Sequence, residues 1–291
     1  MKELSQPASP RAEVLALFNQ KGGCGKTTTA VNLAGALAAR GERALLVDLD
    51  PQAHATMALG HDGEVGPTLA EVLIDDAPTA SAIVSAPGDV ALLPSGSRLA
   101  EFEEIAERTI GPERILAARL DQVAASYDWI LVDCPPRADG VLCANALWAS
   151  NVALLVVETG AFALQGAVKA LGILAEVGEQ QGRAFDVRAV GTLFDRRLRF
   201  ARELLIAIQA RFGAAMFDTV IRSSVRLREA PAMGVPVQVL DPTCRAASDF
   251  ASLAAEIVAA RPSFGAQAQS GSRAAAASDV PRLAELLREP S

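Results

Sequence analysis

The sequence predicts an α/β fold: a doubly wound, mostly parallel sheet with helices on both faces. Short apolar runs rich in β-branched residues alternate along the chain with longer alanine- and leucine-rich amphipathic stretches. The apolar runs are apolar on both faces, as expected of strands that helices cover from two sides. A glycine-rich segment follows the first run and opens the first helical stretch. Strands that alternate with helices in this way are typical of a parallel sheet.

The elements follow one another in the order that this architecture requires. Seven strands are predicted at 14–18, 44–48, 90–93, 129–133, 152–157, 187–192 and 218–221. Eight helices are predicted at 26–40, 68–74, 97–107, 112–126, 139–150, 164–181, 199–212 and 245–260. Together they form one domain, predicted at 13–261, after a disordered lead at 1–12.

Two further segments are expected after the domain. Residues 262–279 are small, polar and repetitive, which is a linker composition. Residues 280–291 form a short amphipathic segment with Val280, Leu283, Leu286 and Leu287 on one helical face. Counted from Asp279, directly before it, this segment has two arginines against three acids and no aromatic residue, unlike a membrane-surface helix. We expect it to dock on a partner or on this protein, with disorder and membrane binding as the alternatives.

Composition predicts a cytoplasmic protein. The chain has 291 residues, of which 51% are hydrophobic, enough for the core of a large α/β domain. No apolar run approaches the ~18–20 residues that span a bilayer, and the N-terminus lacks the apolar core of a secretory signal. The four cysteines are scattered without a C-x-x-C pair, so reduced thiols are expected.

The glycine-rich segment predicts a phosphate-binding loop, in which backbone N–H groups and the helix dipole attract an anion. Lys26 and Thr27 match the end of the pattern G-x-x-x-x-G-K-[ST], whereas Gln20 replaces its first glycine. The chain has only four lysines, and two of them, Lys21 and Lys26, lie in this loop. The loop residues expected to bind the nucleotide are Gly22, Gly23, Cys24, Gly25, Lys26, Thr27 and Thr28.

Four motifs together resemble the ParA/Soj branch of the ParA/MinD group of P-loop ATPases, which share a deviant Walker A motif. The first motif is the loop with its extra lysine, Lys21. The second and third are the aspartate-bearing ends of two predicted strands, at 46–52 and 128–136, and the fourth lies at 225–231. They follow the family's order and spacing over roughly residues 12–260. The resemblance implies a slow, Mg²⁺-dependent ATPase with ATP and Mg²⁺ as its cofactors.

Each requirement of phosphoryl transfer then has a candidate residue. Lys26 reaches the β- and γ-phosphates, and Thr27 offers its hydroxyl to Mg²⁺. Asp133, which ends an apolar strand, fits the Walker B role of holding Mg²⁺. The resemblance assigns Asp50 to orienting the attacking water and places Asp48 nearer to the loop and the metal.

The extra lysine, Lys21, implies a dimer. In the family this lysine crosses to the partner subunit and neutralises phosphate charge there, as an arginine finger does. The resemblance therefore implies a catalytic role for Lys21 and a homodimer that ATP, but not ADP, completes. It also implies a ParB-like or cargo-adaptor protein that stimulates hydrolysis and resets the ATPase.

The charge distribution predicts a DNA-binding surface. The net charge of −7 by itself argues against nucleic-acid binding, but ten arginines face only four acidic residues between 183 and 228. The family's DNA-binding arginines lie in the same region. Because no base-reading motif is present, DNA binding is expected to be non-specific and salt-sensitive. In the ATP state the protein is therefore expected to associate with the nucleoid. The arginines expected to contact DNA are Arg196, Arg197, Arg199, Arg202, Arg222, Arg226 and Arg228. The alternative is a solvated arginine-rich face.

The chain also departs from the family pattern at its partner surfaces. Arg222 stands where relatives have the proline that helps to frame the adenine, and Ser223 replaces an arginine. Arg222 is therefore expected near both the nucleotide and DNA. Relatives read close to Glu-Tyr-Phe-Ala-Leu-Glu-Gly after the strand at 152–157, whereas this chain has Gly160 and Gln165 in place of the two glutamates.

The leading hypothesis is a partition or positioning ATPase whose cargo is a plasmid, a chromosome region or another large assembly. The first alternative is a MinD- or FlhG-like spatial regulator that works at the membrane. A metal-cluster relative of the nitrogenase iron protein is a second, for which the chain lacks paired cysteines. A P-loop synthetase or kinase that acts on a small molecule is the third.

Overall fold

The computed structural model describes residues 11–62, 66–137, 140–160 and 162–264. These residues form one eight-stranded sheet. Its strands are β1 Glu13–Phe18, β2 Ala44–Asp48, β3 Val84–Ala86, β4 Val90–Leu93, β5 Trp129–Asp133, β6 Val152–Glu158, β7 Asp186–Phe194 and β8 Met216–Arg222. The order across the sheet is β3-β4-β2-β5-β1-β6-β7-β8.

Every strand pair is parallel except β3 and β4, which pair antiparallel. The predicted, mostly parallel sheet is thereby confirmed, and all seven predicted strands are present. Strand β3 was not predicted because three residues are too short to show a period. A tight connection joins it to β4, in which Gly88 and Asp89 take positive φ angles of 78° and 58°.

Helices cover both faces of the sheet. They are α1 Lys26–Ala38, α2 His54–Ala58, α3 Leu69–Ile74, α4 Thr79–Ala82, α5 Glu101–Ala106, α6 Ile115–Asp121, α7 Val141–Ala149, α8 Ala163–Gln181, α9 Arg199–Phe212, α10 Arg226–Ala232, α11 Val237–Leu240 and α12 Arg245–Ala260. Side chains of α1, α2 and α10 to α12 join one buried apolar cluster, and those of α3 to α9 join the other. The doubly wound architecture is therefore confirmed.

Two predicted helices are shorter than expected. The segment 97–107 begins as a 3-10 turn, Ser97–Ala100, before α5, and the segment 112–126 contains 3-10 turns on both sides of α6. Helices α2, α4, α10 and α11 were not predicted, because four to seven residues cover two turns at most.

The packed domain extends slightly beyond 13–261. Ala12, placed in the lead by the sequence, is buried, and Arg11 pairs with Asp121. At the other end Phe264, placed in the linker, meets Trp129 edge to face at a centroid distance of 6.3 Å. The rest of the predicted lead, most of the linker and the C-terminal segment lie outside the described residues. In the part of the chain that is described, no helix is long and apolar enough to cross a membrane.

Candidate functional site

The predicted phosphate loop and two of the predicted carboxylates converge at one edge of the sheet. In the strand register, Asp133 at the end of β5 lies between Leu17 of β1 and Asp48 of β2. The loop leaves β1 directly after this point and leads into α1. Since the carboxyl ends of parallel strands share an edge, three segments that are distant in sequence form one site.

The loop itself has the geometry of an anion cradle. Gly23 and Gly25 take φ angles of +75° and +91°, which other residues adopt only with strain. No side chain caps the N-terminus of α1, and its first turn carries no acidic residue. A Cβ atom added at Gly22 or Gly23 would meet nothing within 4 Å. The start of α1 therefore offers unpaired N–H groups and a positive dipole end to an open space.

Long-range hydrogen bonds hold this loop in place. The Thr192 hydroxyl donates to the carbonyl oxygen of Cys24 at 2.7 Å. Asn19 donates to the carbonyl of Val156 at 2.6 Å, which fixes the start of the loop on β6. The Lys26 side chain is buried beneath the loop, with its Nζ 3.4 Å from the carbonyl oxygen of Lys21. Its ammonium is thus already enclosed by the loop.

Asp133 is the most unusual carboxylate in the site. It is fully buried, and neither of its oxygens has a hydrogen-bond partner among the described residues. Burial raises the pKa of Asp133 to about 8, and the charge of Asp48 adds to the rise. The Thr27 hydroxyl and the Lys26 ammonium lie close enough to oppose that pKa shift in part. The two Asp133 oxygens, which have no hydrogen-bond partner in the described part of the chain, lie next to the Thr27 hydroxyl. This arrangement fits a hydrated divalent cation, which prefers oxygen ligands.

Asp48, by contrast, has protein partners. One of its oxygens accepts hydrogen bonds from the amide and the hydroxyl of Thr56, at 2.8 and 2.7 Å, and the other accepts from the Asp50 amide at 3.2 Å. Burial raises the pKa of Asp48 to about 6, and these hydrogen bonds oppose the rise. Asp48 therefore ties β2 to α2, and its metal role stays a prediction.

Asp50 follows β2, and hydrogen bonds hold both its side chain and its backbone carbonyl. Its carboxylate accepts a hydrogen bond from the Gln52 amide at 3.0 Å. Its carbonyl oxygen accepts one from the Ser95 hydroxyl at 2.7 Å, and the Ser95 amide donates to the Thr56 hydroxyl at 2.9 Å. Thr56 and Ser95 are buried supports that sequence reasoning missed.

Lys21 does not point towards its own phosphate cradle. Its Nζ lies 2.6 Å from Glu158 Oε2 at the end of β6, and its amide donates to Asn19 at 3.1 Å. Both its side chain and its backbone are therefore tied to β6. Glu158 was not singled out from the sequence, although an acidic residue that ends an apolar strand is a signal of the same kind as Asp133.

The arginines predicted to contact DNA differ in whether they pair with an acidic residue of this chain. Arg222 pairs with Asp249 of α12 through its side chain, and its amide donates to the same carboxylate at 3.1 Å. Its predicted adenine and DNA contacts stay predictions. Three others also pair within the chain: Arg197 with Asp195, Arg199 with Glu203, and Arg226 with Glu229 and Asp241.

The remaining three arginines, Arg196, Arg202 and Arg228, are exposed and have no acidic partner in the described ranges. The segments that carry them follow the carboxyl ends of the neighbouring strands β7 and β8. Arg197 and Arg199 are also 85% and 86% exposed in their ion pairs. Exposed pairs contribute about 0–1 kcal/mol, so these arginines can exchange a carboxylate for a phosphate.

The chain is similar in sequence to known proteins over most of its length. A family described as an AAA domain matches residues 12–187. The chain is 36% identical to the sporulation initiation inhibitor protein Soj of Bacillus subtilis over 250 residues, which is 85% of this chain and 98% of Soj. It is 35% identical to the chromosome partitioning protein ParA of Caulobacter vibrioides over 251 residues, 84% of this chain and 93% of that protein.

Solved structures are similar over the same part of the chain. A cobyrinic acid a,c-diamide synthase from Mycobacterium smegmatis, with bound ATP analogue and magnesium, has a TM-score of 0.72 and 29% identity. The match covers 87% of this chain and 96% of the synthase. The cell division ATPase MinD of Pyrococcus furiosus has a TM-score of 0.67 and 25% identity, over 85% of this chain and 98% of MinD.

Proposed function

Because this chain belongs to the ParA/Soj-type ATPases of the ParA/MinD group, we propose that it is an ATP-dependent partition or positioning ATPase. In this proposal it dimerises around Mg²⁺-ATP, binds DNA non-specifically in that state, and is reset when a partner stimulates hydrolysis. The name of one relative, the chromosome partitioning protein ParA, favours a chromosome region as the cargo, with a plasmid or another large assembly as the alternative.

The buried carboxylate of Asp133 is the observation that carries the proposal. A fully buried aspartate without hydrogen bonds costs free energy of folding unless a ligand coordinates its carboxylate oxygens. Thr27 and Asp133 would hold Mg²⁺ beside the phosphate cradle. A bound Mg²⁺ would neutralise charge on the phosphate oxygens during transfer. The related synthase structure, which contains an ATP analogue and magnesium, supports both ligands.

Hydrolysis then needs two more groups, and the site supplies candidates for both. The enclosed ammonium of Lys26 can neutralise charge on the β- and γ-phosphates without further rearrangement. The carboxylate of Asp50 is fixed by the Gln52 amide, so it can orient a water molecule rather than move freely. We assign Asp50 to that role.

Dimerisation is supported by the surface at the same edge of the sheet. Phe162, Leu193, Leu198 and Val225 are between 40% and 65% exposed, and each lies at or after the carboxyl end of β6, β7 or β8. Exposed apolar residues that are grouped in this way mark an interaction surface. We infer that a second copy of this chain covers it and that Lys21 of each copy serves the other's nucleotide.

The similarity to a synthase does not lead us to propose a synthase activity. A cleft of about 410 Å³ is lined by residues such as Val14, Trp148 and Asn151. These residues are at the amino ends of β1 and β6, whereas the loop follows the carboxyl end of β1. A substrate in that cleft could not meet a γ-phosphate across the length of the strands.

A DNA gel shift with ATP, ADP and no nucleotide, repeated across a salt series, tests the proposal. We expect binding only with ATP, and we expect it to weaken steeply as salt rises. Binding that is indifferent to the nucleotide would remove DNA from the proposed function. Sedimentation with lipid vesicles in the same three nucleotide states separates the proposal from a membrane regulator, because only the latter would pellet with vesicles.

A further inference from the structure

We propose that Glu158 is a positioning residue that holds Lys21 inside its own subunit until ATP-dependent dimerisation releases the lysine. The proposal rests on the proposed function, in which Lys21 acts on the nucleotide of the partner subunit. The Lys21–Glu158 ion pair is called the latch below. It makes dimerisation an exchange of partners for the Lys21 ammonium rather than a simple docking.

The contacts of the latch are specific. The Nζ–Oε2 distance of 2.6 Å is that of a charge-assisted hydrogen bond, and the two side chains are 39% and 26% exposed. The Lys21 amide is held by Asn19, which in turn binds the carbonyl of Val156 on β6. The backbone is thus fixed, so the side chain can change partners without rebuilding the loop.

Gly160 makes room for this arrangement. A Cβ atom at Gly160 would lie 2.7 Å from Glu158 Oε1 and 3.1 Å from its Cδ. Any larger residue would therefore push the Glu158 carboxylate away from its present position. Gly160 is one of the chain's departures from the family pattern, and here it has a physical consequence.

Glu158 and the phosphates of the partner's nucleotide compete for the Lys21 ammonium. With Glu158 in contact, the pair is nearly neutral, and the carboxylate would repel a phosphate that approached the ammonium. Once Lys21 has left, Glu158 is exposed enough to be hydrated, so release costs little. Pairs of this exposure contribute up to about 1 kcal/mol, which is up to about fivefold per subunit. Because a dimer opens two latches, the effect on its Kd is the square, up to about 25-fold.

Two variants open the latch in different ways. Glu158→Gln removes the charge and keeps the shape, whereas Gly160→Ala keeps the charge and displaces the carboxylate. Both should tighten the dimer formed with a non-hydrolysable ATP analogue and Mg²⁺. Glu176→Gln is the matched control, because Glu176 is an exposed glutamate of α8 whose loss changes the net charge equally. The dimer Kd is measured by sedimentation velocity over a protein concentration series.

The outcomes are distinguishable. A lower Kd for both latch variants, with the control equal to wild type, supports the latch. An unchanged or higher Kd for Glu158→Gln overturns it, and a higher Kd would mean that Glu158 stabilises the dimer instead. If wild type and all variants stay monomeric with the analogue, the proposed function fails and the latch falls with it.

Discussion

Asp133 makes the stability of the nucleotide-free protein depend on pH. Its pKa is raised from 3.8 to about 8, so the native state binds a proton more tightly than the unfolded chain does. This contribution to stability is complete below pH 4 and is lost as the pH rises towards 8. Asp48, with a pKa raised to about 6, adds a further loss of stability in the lower half of that pH range.

We therefore predict that Asp133→Asn gains stability relative to wild type as the pH rises from 5.5 to 8.5. Urea unfolding without nucleotide or Mg²⁺, at several pH values, measures this difference. Comparing the two proteins cancels the titration of carboxylates that do not interact with Asp133, so the difference reports Asp133 together with its coupling to Asp48. Unfolding free energies that change in parallel across the window would contradict the pKa assigned to Asp133.

Thr56 gives a second prediction at the scale of single residues. Its hydroxyl donates to Asp48 and accepts from the Ser95 amide, and all three residues are fully buried. Thr56→Val keeps the shape but leaves a carboxylate oxygen and an amide underbonded, which should cost about 1–3 kcal/mol of unfolding free energy. Thr56→Ser, which keeps the hydroxyl, is the control and should lose less. If urea unfolding showed equal losses of unfolding free energy for the two variants, the hydrogen bonds of the hydroxyl would not explain the effect.

The sequence indicates the residues that we propose for the chemistry better than the residues that support them. Lys26, Thr27 and Asp133 stand in recognisable patterns, and the structure brings them together. Thr192 and Glu158 act on the loop from 168 and 137 positions away. Such contacts depend on which strands become neighbours, and no local period encodes that.

At the scale of elements, the buried parallel strands were predictable because they are continuous apolar runs between helices. Helices α2, α4, α10 and α11 were not, since each is too short to show a period and is placed by its neighbours: α2 and α11 pack on α1, α10 packs on α2 and α11, and α4 packs on α3. An example is α11, which begins where Asn32 of α1 accepts a hydrogen bond from the Val237 amide at 2.7 Å. Tertiary contacts of this kind override weak local preference.

Helix α9 and the turn before it carry a prediction about DNA. Arg196→Ala combined with Arg202→Ala removes two exposed arginines that have no acidic partner in the described part of the chain. ATP-dependent DNA binding should weaken, and the slope of log K against log salt should become shallower by about 1.8. A salt series of binding isotherms measures both.

The matched control is Arg40→Ala combined with Arg108→Ala, which removes the same charge from exposed positions after α1 and after α5. It should leave the salt slope unchanged. If both pairs weakened binding equally, overall charge rather than α9 would be responsible.

At the scale of the whole molecule, the parallel sheet explains why one edge carries every proposed activity. The phosphate loop, the carboxylates, Lys21 and the exposed apolar residues follow the carboxyl ends of six of the eight strands. Helices bury both faces, so this edge is where the chain can present backbone N–H groups and charged side chains together. The surfaces proposed to bind the nucleotide, the partner subunit and DNA are therefore neighbours.

The oligomeric state with and without a γ-phosphate tests this account most directly. Sedimentation velocity of wild type should show a dimer with Mg²⁺ and a non-hydrolysable ATP analogue, and a monomer with ADP. Lys21→Ala should bind the analogue and stay monomeric, whereas Lys169→Ala, which removes an exposed lysine of α8, should dimerise as wild type does. A wild-type protein that remains monomeric under saturating analogue would contradict the account.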